Sequence, residues 1–596
     1  MDIIKKNKLA FGFAFIVGLI YIAPNVFFIL SLGGAYKGIP LQVADEDFYL
    51  ARIREILDGH PLIGSVSLFE YKNQPSLSPP AGEFFYALPS LMFNISPVNV
   101  LIASRFFLPF ILFLLVYFLA RKLTEDNNFF SAEINGIAAA LFVTLGRDLF
   151  DFRSIFNYLK GMGAPGDFLI WTKPVNPVLG AIFLMSFLIC LWLIIAKQEI
   201  KWRKFYITGA SLSLTLMIGN YFFSWGIAAS IVAALILIYL FKKEYKRAKN
   251  LIIVVVFGFF LSAPYWYGVW QARQSPWYQE SLLRKGLFYT RYPLFNKIML
   301  MTLVIYLLFI FLPFFLQAVR REKNVFHFEN WHWFSIAFIL GSLWVYVQQI
   351  ITGMTIWPYH FAQYTISLAI IVLMAIFYNV VRKKSELLWG AGVFAVITAS
   401  LSLGIYTQAS VYKSLYPYYA NLQGYVAILD WVNHRERDCV ALVGGNDLAK
   451  RQKLSSMILS FTHCNLYDAN GYFSMVPGER IHHNYMVRTL FDGVTDKNID
   501  EYLKNPKNGA KSYLFANWKE LFNIKDFPDV PNNLEEKIKK APEDYRKFFA
   551  KDLRSKLGKY KLDYIIIEGK VEGKVEDLIK ELKLVYKSGD ISVYKF

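Results

Sequence analysis

Apolar residues run through the first two-thirds of this chain in long stretches, with polar residues gathered in short breaks between them. A helix crossing about 30 Å of hydrocarbon needs about 20 apolar residues. Eleven stretches approach that length: 9–32, 98–120, 134–147, 175–196, 205–219, 221–241, 250–271, 298–319, 332–352, 357–380 and 386–406. The third and fifth are short, and Gly219-Asn220 marks either a tight hairpin or an interrupted helix. The first stretch follows Lys5, Lys6 and Lys8. It exceeds the roughly 7–15 residues of a secretory signal, and no A-x-A site follows, so it is read as the first span. Beyond residue 406 the pattern changes. Short runs at Cys439–Val443, Tyr564–Ile567 and Ile591–Tyr594 predict strands, while Asn533–Leu557 and Val575–Leu582 predict charged amphipathic helices. The expected fold is a polytopic α-helical membrane domain, residues 1–406, with an acidic first outer loop at 33–97. A soluble mixed α/β domain, residues 407–596, follows it.

Composition and charge agree with that division. The chain is 55% hydrophobic and only 18% charged, against about 25% charged in a soluble globular protein. Residues 1–406 carry 34 basic and 20 acidic side chains, and residues 407–596 carry 30 and 25. The net charge of +19 could suggest nucleic acid, but the basic residues sit between apolar spans, so no nucleic-acid partner is expected. With a cytosolic N-terminus the short inner segments hold 20 Lys and Arg in 53 residues, and the long outer loops 12 in 120. That asymmetry obeys the positive-inside bias. An odd number of spans then places the C-terminal domain outside the cytosol, in a multi-pass protein of the cell membrane. Cys439 and Cys464 could pair in an oxidising compartment, but unpaired buried thiols are the expectation.

Candidate chemistry gathers in the outer loops. Asp45-Glu46-Asp47 stands just past the first span, ahead of a helix over Phe48–Leu57 that includes Arg52. Three adjacent carboxylates at a membrane boundary repel one another unless a divalent cation, an arginine or a proton offsets the repulsion; a solvated helix-capping turn is the alternative. The second outer loop repeats the theme with Arg147-Asp148-Leu149-Phe150-Asp151-Phe152-Arg153, which also suits an interfacial helix. The third offers Arg284, Lys285 and Arg291 among aromatics at headgroup depth, where they could bind phosphate or simply snorkel. His360 lies in the turn before the tenth span, and ionisable residues at that depth tend to mark function. His482-His483 reads as surface, and Tyr467–Tyr472 as an ordinary turn.

This layout resembles the GT-C membrane glycosyltransferases, which take sugars from polyprenyl-phosphate carriers. The likeness is carried by Asp45-Glu46-Asp47, Ser78-Pro79-Pro80, Phe84–Phe93, Arg105 and Ala120-Arg121-Lys122. It is similar both to the aminoarabinose and mannose transferases and, through Asp47-Phe48-Tyr49 and Arg52, to the oligosaccharyltransferases. The resemblance implies a catalytic or metal-binding acid at Asp47, or else at Asp45 or Glu46, with Asp148 and Asp151 as further acids beside a Mg²⁺ or Mn²⁺ ion. Where oligosaccharyltransferases carry Trp-Trp-Asp, this chain reads Val440-Ala441-Leu442-Val443-Gly444-Gly445-Asn446-Asp447, a departure that disfavours oligosaccharide transfer to asparagine.

The expected activity is transfer of a hexose or pentose from a polyprenyl-phosphate-linked donor to a lipid, glycan or protein acceptor at the extracytoplasmic face. Arg52, Arg284, Lys285 and Arg291 are the candidates for neutralising the donor phosphate. Two alternatives stand beside it: a non-catalytic receptor or scaffold of the same architecture, and a lipid or solute transporter. The transporter reading lacks paired helix breaks in the two halves and mid-depth charges.

Overall fold

The computed structural model describes residues 5–124, 129–151, 165–196, 200–287, 328–354, 357–471, 473–505 and 534–596, with single positions at 156, 160, 291 and 304. Among the described residues seven helices are long and apolar enough to cross a bilayer. An eighth crossing results if Tyr245–Leu261 and Ala263–Arg273, bent by 55° at Ser262, count as one. The chain is a polytopic α-helical membrane protein.

Five of the eleven apolar stretches become helices close to their expected limits, namely Lys8–Leu32, Pro97–Lys122, Val178–Ala196, Phe222–Phe241 and Asn330–Thr352. The shorter stretches behave differently. Phe129–Thr144 has only 16 residues, and Ile200–Asn220 begins with Arg203 and Lys204 and is rich in Ser and Thr, so neither is counted among the seven. The stretch 298–319, Val304 apart, lies outside the described residues. The Gly219-Asn220 break is a change of direction: Tyr221 is extended, and a new helix starts at Phe222. The tenth span begins as a helix only at Ala362. The eleventh is capped by Ser385, whose hydroxyl accepts from the Leu388 N–H, and runs unbroken for 37 residues from Glu386 to Leu422. This helix therefore passes residue 406 and carries the chain up into the soluble domain.

The C-terminal domain is built on a five-stranded sheet in the order β2-β1-β3-β5-β4. Strands β1 (Val440–Gly444), β3 (Tyr564–Glu568) and β5 (Ile591–Lys595) match the three expected apolar runs. β2 (Asn465–Leu466) and β4 (Lys583–Ser588) were not legible, the first because it has two residues and the second because it is a largely exposed edge. β1 pairs in parallel with β2 and β3, and β5 runs antiparallel between β3 and β4. Helices Leu534–Ala550 and Lys574–Glu581 fall where amphipathic segments were expected.

Two expectations fail here. Cys439 and Cys464 form a disulfide rather than standing as free thiols, because β1 and β2 are parallel neighbours in a register that brings the residues just before them together. His483 is buried, not superficial: its imidazole meets the Tyr467 hydroxyl at 2.8 Å beneath Tyr560 and Phe548.

The loop after the first helix, residues 33–97, is clamped between the two domains. The Leu466 N–H donates to the Ser67 carbonyl at 2.9 Å, extending the β2 edge. Arg54 donates to the Thr462 carbonyl, and the Ser474 and Ser65 hydroxyls meet at 3.0 Å. Buried Lys72 pairs with both Glu55 and Asp438. A buried charge without a partner costs several kcal/mol, so each such pair fixes register as well as contact.

Candidate functional site

The helix that follows the acidic triplet spans Glu46–Leu57 and starts from Asp45, whose φ of 66° is left-handed. Asp tolerates that conformation better than most residues. No carboxylate of the triplet caps the helix. Successive residues in a helix diverge by about 100°, so the three acids point in three directions. Each meets a different cation on a different element. Asp45, exposed, pairs with Lys173 at 3.2 Å. Glu46, fully buried, pairs with Arg105 at 2.6 Å and accepts the Val43 N–H at 2.9 Å. Asp47 accepts from Lys453 Nζ at 2.9 Å and Ser456 Oγ at 2.6 Å, both through Oδ2. Its Oδ1 is buried and has no protein donor. Burial pushes the Glu46 carboxyl up, and Arg105 opposes that rise.

All three acids line a cavity of about 430 Å³ with Gln42, Val43, Ala44, Gly166, Asp167, Leu415, Tyr418 and Tyr419. Asp167 was missed in the sequence. Its Oδ1 accepts the Phe168 N–H, and burial raises its carboxyl above the usual range. Lys453 and Ser456 were missed too. They sit on the soluble-domain helix Leu448–Phe461, three residues apart and so on one face of it.

Five residues along the same helix as Asp47, about 8 Å at 1.5 Å per residue, stands Arg52. It is buried, donates to Glu83 Oε1 at 2.5 Å and to the Ser78 carbonyl, and lies over the Phe48 ring. Its Nη1 has no partner. Lys285 comes to the same place from the third outer loop. Its ammonium donates to the Leu77 carbonyl at 2.5 Å and Ser78 Oγ at 2.7 Å. It has no carboxylate partner among the described residues. Burial, and then the Arg52 charge, lower its pKa to about 7. Phe473 of the soluble domain packs against Phe48 at a tilt, with ring centroids 4.6 Å apart, and lies under Lys285.

The remaining candidates are spread more widely. Arg284 is turned toward the soluble domain, donating to the Val476 carbonyl and pairing with Glu280, which itself accepts the Gly478 N–H. Arg291 is exposed and reaches the Ile350 carbonyl at 3.4 Å. Asp148 lies in the short turn Arg147–Phe150 rather than a helix, half exposed and paired with Arg147, and neither it nor Asp151 lines the acidic cavity. His360 stands in the turn before the Ala362–Ile376 helix, with Nδ1 2.7 Å from the Tyr221 hydroxyl and its ring stacked on Phe223. Burial and the nearby Lys173 charge lower its pKa to about 4, so the imidazole is neutral.

A bound Mg²⁺ or Mn²⁺ requires several oxygen ligands converging at about 2.0–2.2 Å. The acids here diverge and each is already matched to a cation. The one group of three ionisable or thiol side chains close enough to share an ion among the described residues is Cys439, His463 and Cys464, two of which are the disulfide. Among the described residues the acidic triplet does not present the converging oxygens that a divalent metal requires.

No protein-family model and no curated protein sequence matches the chain. Among solved structures it is similar to ArnT from Cupriavidus metallidurans bound to undecaprenyl phosphate, with 11% identity, 97% of each chain covered and a TM-score of 0.45. It is also similar to the archaeal oligosaccharyltransferase AglB from Archaeoglobus fulgidus, in complex with an inhibitory peptide and a dolichol-phosphate. There the identity is 13%, the coverage 95% of this chain and 70% of that one, and the TM-score 0.44.

Proposed function

We propose that the chain is a membrane glycosyltransferase that moves a sugar from a polyprenyl-phosphate-linked donor to an acceptor on the extracytoplasmic face. The observation that carries this reading is buried Lys285 beside Arg52: among the described residues the lysine has no carboxylate partner, and Arg52, paired with Glu83 through Nε, keeps one guanidinium nitrogen unpartnered, five residues along the helix from Asp47. Glu83 answers Arg52 alone, so the two cations and one carboxylate keep an excess positive charge that a further anion would offset. A phosphate is the anion that a membrane-anchored carrier would bring to this depth. The disulfide supports the extracytoplasmic side, since disulfides persist in oxidising compartments.

In the reaction, the acceptor oxygen attacks the anomeric carbon as the bond from that carbon to the phosphate oxygen breaks. The acceptor proton passes to Asp47 Oδ1, the oxygen left without a protein donor. The leaving polyprenyl phosphate keeps the electron pair, and Lys285 and Arg52 stabilise its charge.

A positioned base contributes about 10²–10⁴-fold, or about 3–5 kcal/mol of barrier, and Asp47→Asn should lose that much. The test is loss of label from undecaprenyl- and dolichyl-phosphate-linked radiolabelled hexoses and pentoses in proteoliposomes. Turnover by the Asn variant at the wild-type rate would overturn the assignment.

A further inference from the structure

Asp47 is held by a helix that belongs to the other domain. Lys453 and Ser456 both address Oδ2 and leave Oδ1 free of protein donors. Lys453 is itself fixed from two further sides, donating to Gln42 Oε1 at 3.3 Å and lying over the Tyr419 ring. Gln42, Asp47 and Tyr419 all line the acidic cavity. The arrangement is thus more than a surface latch: the lysine and serine set the orientation of a carboxylate on the cavity wall, and the lysine supplies a full positive charge beside it.

We infer that Lys453 and Ser456 are positioning residues for Asp47, with the Lys453 ammonium in the role a divalent cation would otherwise take, so that the soluble domain is part of the catalytic unit. This rests on the transferase reading given above. The physical reason is geometric and electrostatic together. Two donors on one oxygen of a carboxylate fix its rotation and direct the second oxygen, and a charge-assisted hydrogen bond is about twice as strong as a neutral one. A fixed ammonium also offsets the repulsion from Asp45 and Glu46 without metal ligation, and among the described residues no group of converging metal ligands includes an acid of the triplet.

The experiment compares full-length wild type with Lys453→Met, Lys453→Arg, Ser456→Ala and Asp47→Asn, in proteoliposomes with the labelled polyprenyl-phosphate sugars. Lys450→Met, on an exposed part of the same helix, is the control. Misplacing a catalytic group by about 1 Å can cost about 100-fold, so Lys453→Met is expected to lower kcat by about 10–100-fold with KM for the donor nearly unchanged. Losing one neutral donor should lower kcat about fivefold in Ser456→Ala. Lys453→Arg should keep most of the wild-type kcat, and Lys450→Met all of it. Excess EDTA should leave wild-type turnover intact, and Mn²⁺ titrated calorimetrically should show no binding that Asp47→Asn abolishes. If Lys453→Met fails to fold, Ser456→Ala and Lys453→Arg carry the comparison. Wild-type kcat in both Lys453→Met and Ser456→Ala, with Asp47→Asn inactive, overturns this inference alone. So does Asp47-dependent Mn²⁺ binding with loss of activity in EDTA. An active Asp47→Asn overturns the transferase assignment beneath it.

Discussion

Lys453 donates to Asp47 across 406 positions of sequence, at 2.9 Å, joining the cavity-facing helix of the first outer loop to the first long helix after β1. The same division of labour holds for the neighbouring acids. Lys173 answers Asp45 from the second outer loop, and Arg105 answers Glu46 from the Pro97–Lys122 helix. Three cations from three parts of the chain therefore each answer one acid of the triplet, and each pair ties a different element to the start of the helix Glu46–Leu57.

Lys285 gives a pH dependence whose sign can be worked out. Its pKa is about 7 in the folded chain against an ordinary 10.5, so between those values the unfolded chain holds the extra proton. Stability from this residue therefore rises with pH across that window and is lowest below about 7. Phosphate binding goes the other way, because the ammonium that would grip it is lost above 7. Undecaprenyl phosphate should bind about tenfold more weakly once the charge is gone, the equivalent of one charge-assisted hydrogen bond. The second phosphate ionisation near 6 acts in the opposite sense, so the decline is to be read above neutrality. Calorimetry of wild type and Lys285→Met checks this: the variant should bind weakly at every pH with no decline.

Arg105 and Glu46 form a buried pair, both under 4% exposed. Removing one partner of such a pair costs about 3–5 kcal/mol because the other charge is stranded. Arg105→Met should therefore lower the unfolding midpoint in detergent sharply, and Glu46→Leu combined with Arg105→Met should recover much of it. A single Arg105→Met with an unchanged midpoint would remove Glu46 from its structural role.

The Cys439–Cys464 disulfide closes a loop with a sequence separation of 25. On the chain-entropy view a loop of that length contributes about 3 kcal/mol. Replacing both cysteines by Ser should destabilise the soluble domain by roughly that amount and expose the β2 edge to limited proteolysis. A digestion pattern identical to wild type would count against the assignment.

Much of the architecture was open to reading from the linear pattern. Burial in lipid demands unbroken apolar runs, so Lys8–Leu32 or Phe222–Phe241 declare themselves one residue at a time, and the strands β1, β3 and β5 do so as buried apolar runs. The acidic triplet and Arg52 also stood out, because charge at a membrane boundary is costly and rare. What stayed hidden was who answers whom. Nothing in the order of residues distinguishes Lys453 from Lys450, or Asp167 from any loop aspartate, and Cys439 meets Cys464 only because β1 and β2 are parallel neighbours. Local propensity and hydrophobic runs act over tens of residues. Charge pairing and cavity formation act through space, and they come into being when the soluble domain closes over the first outer loop.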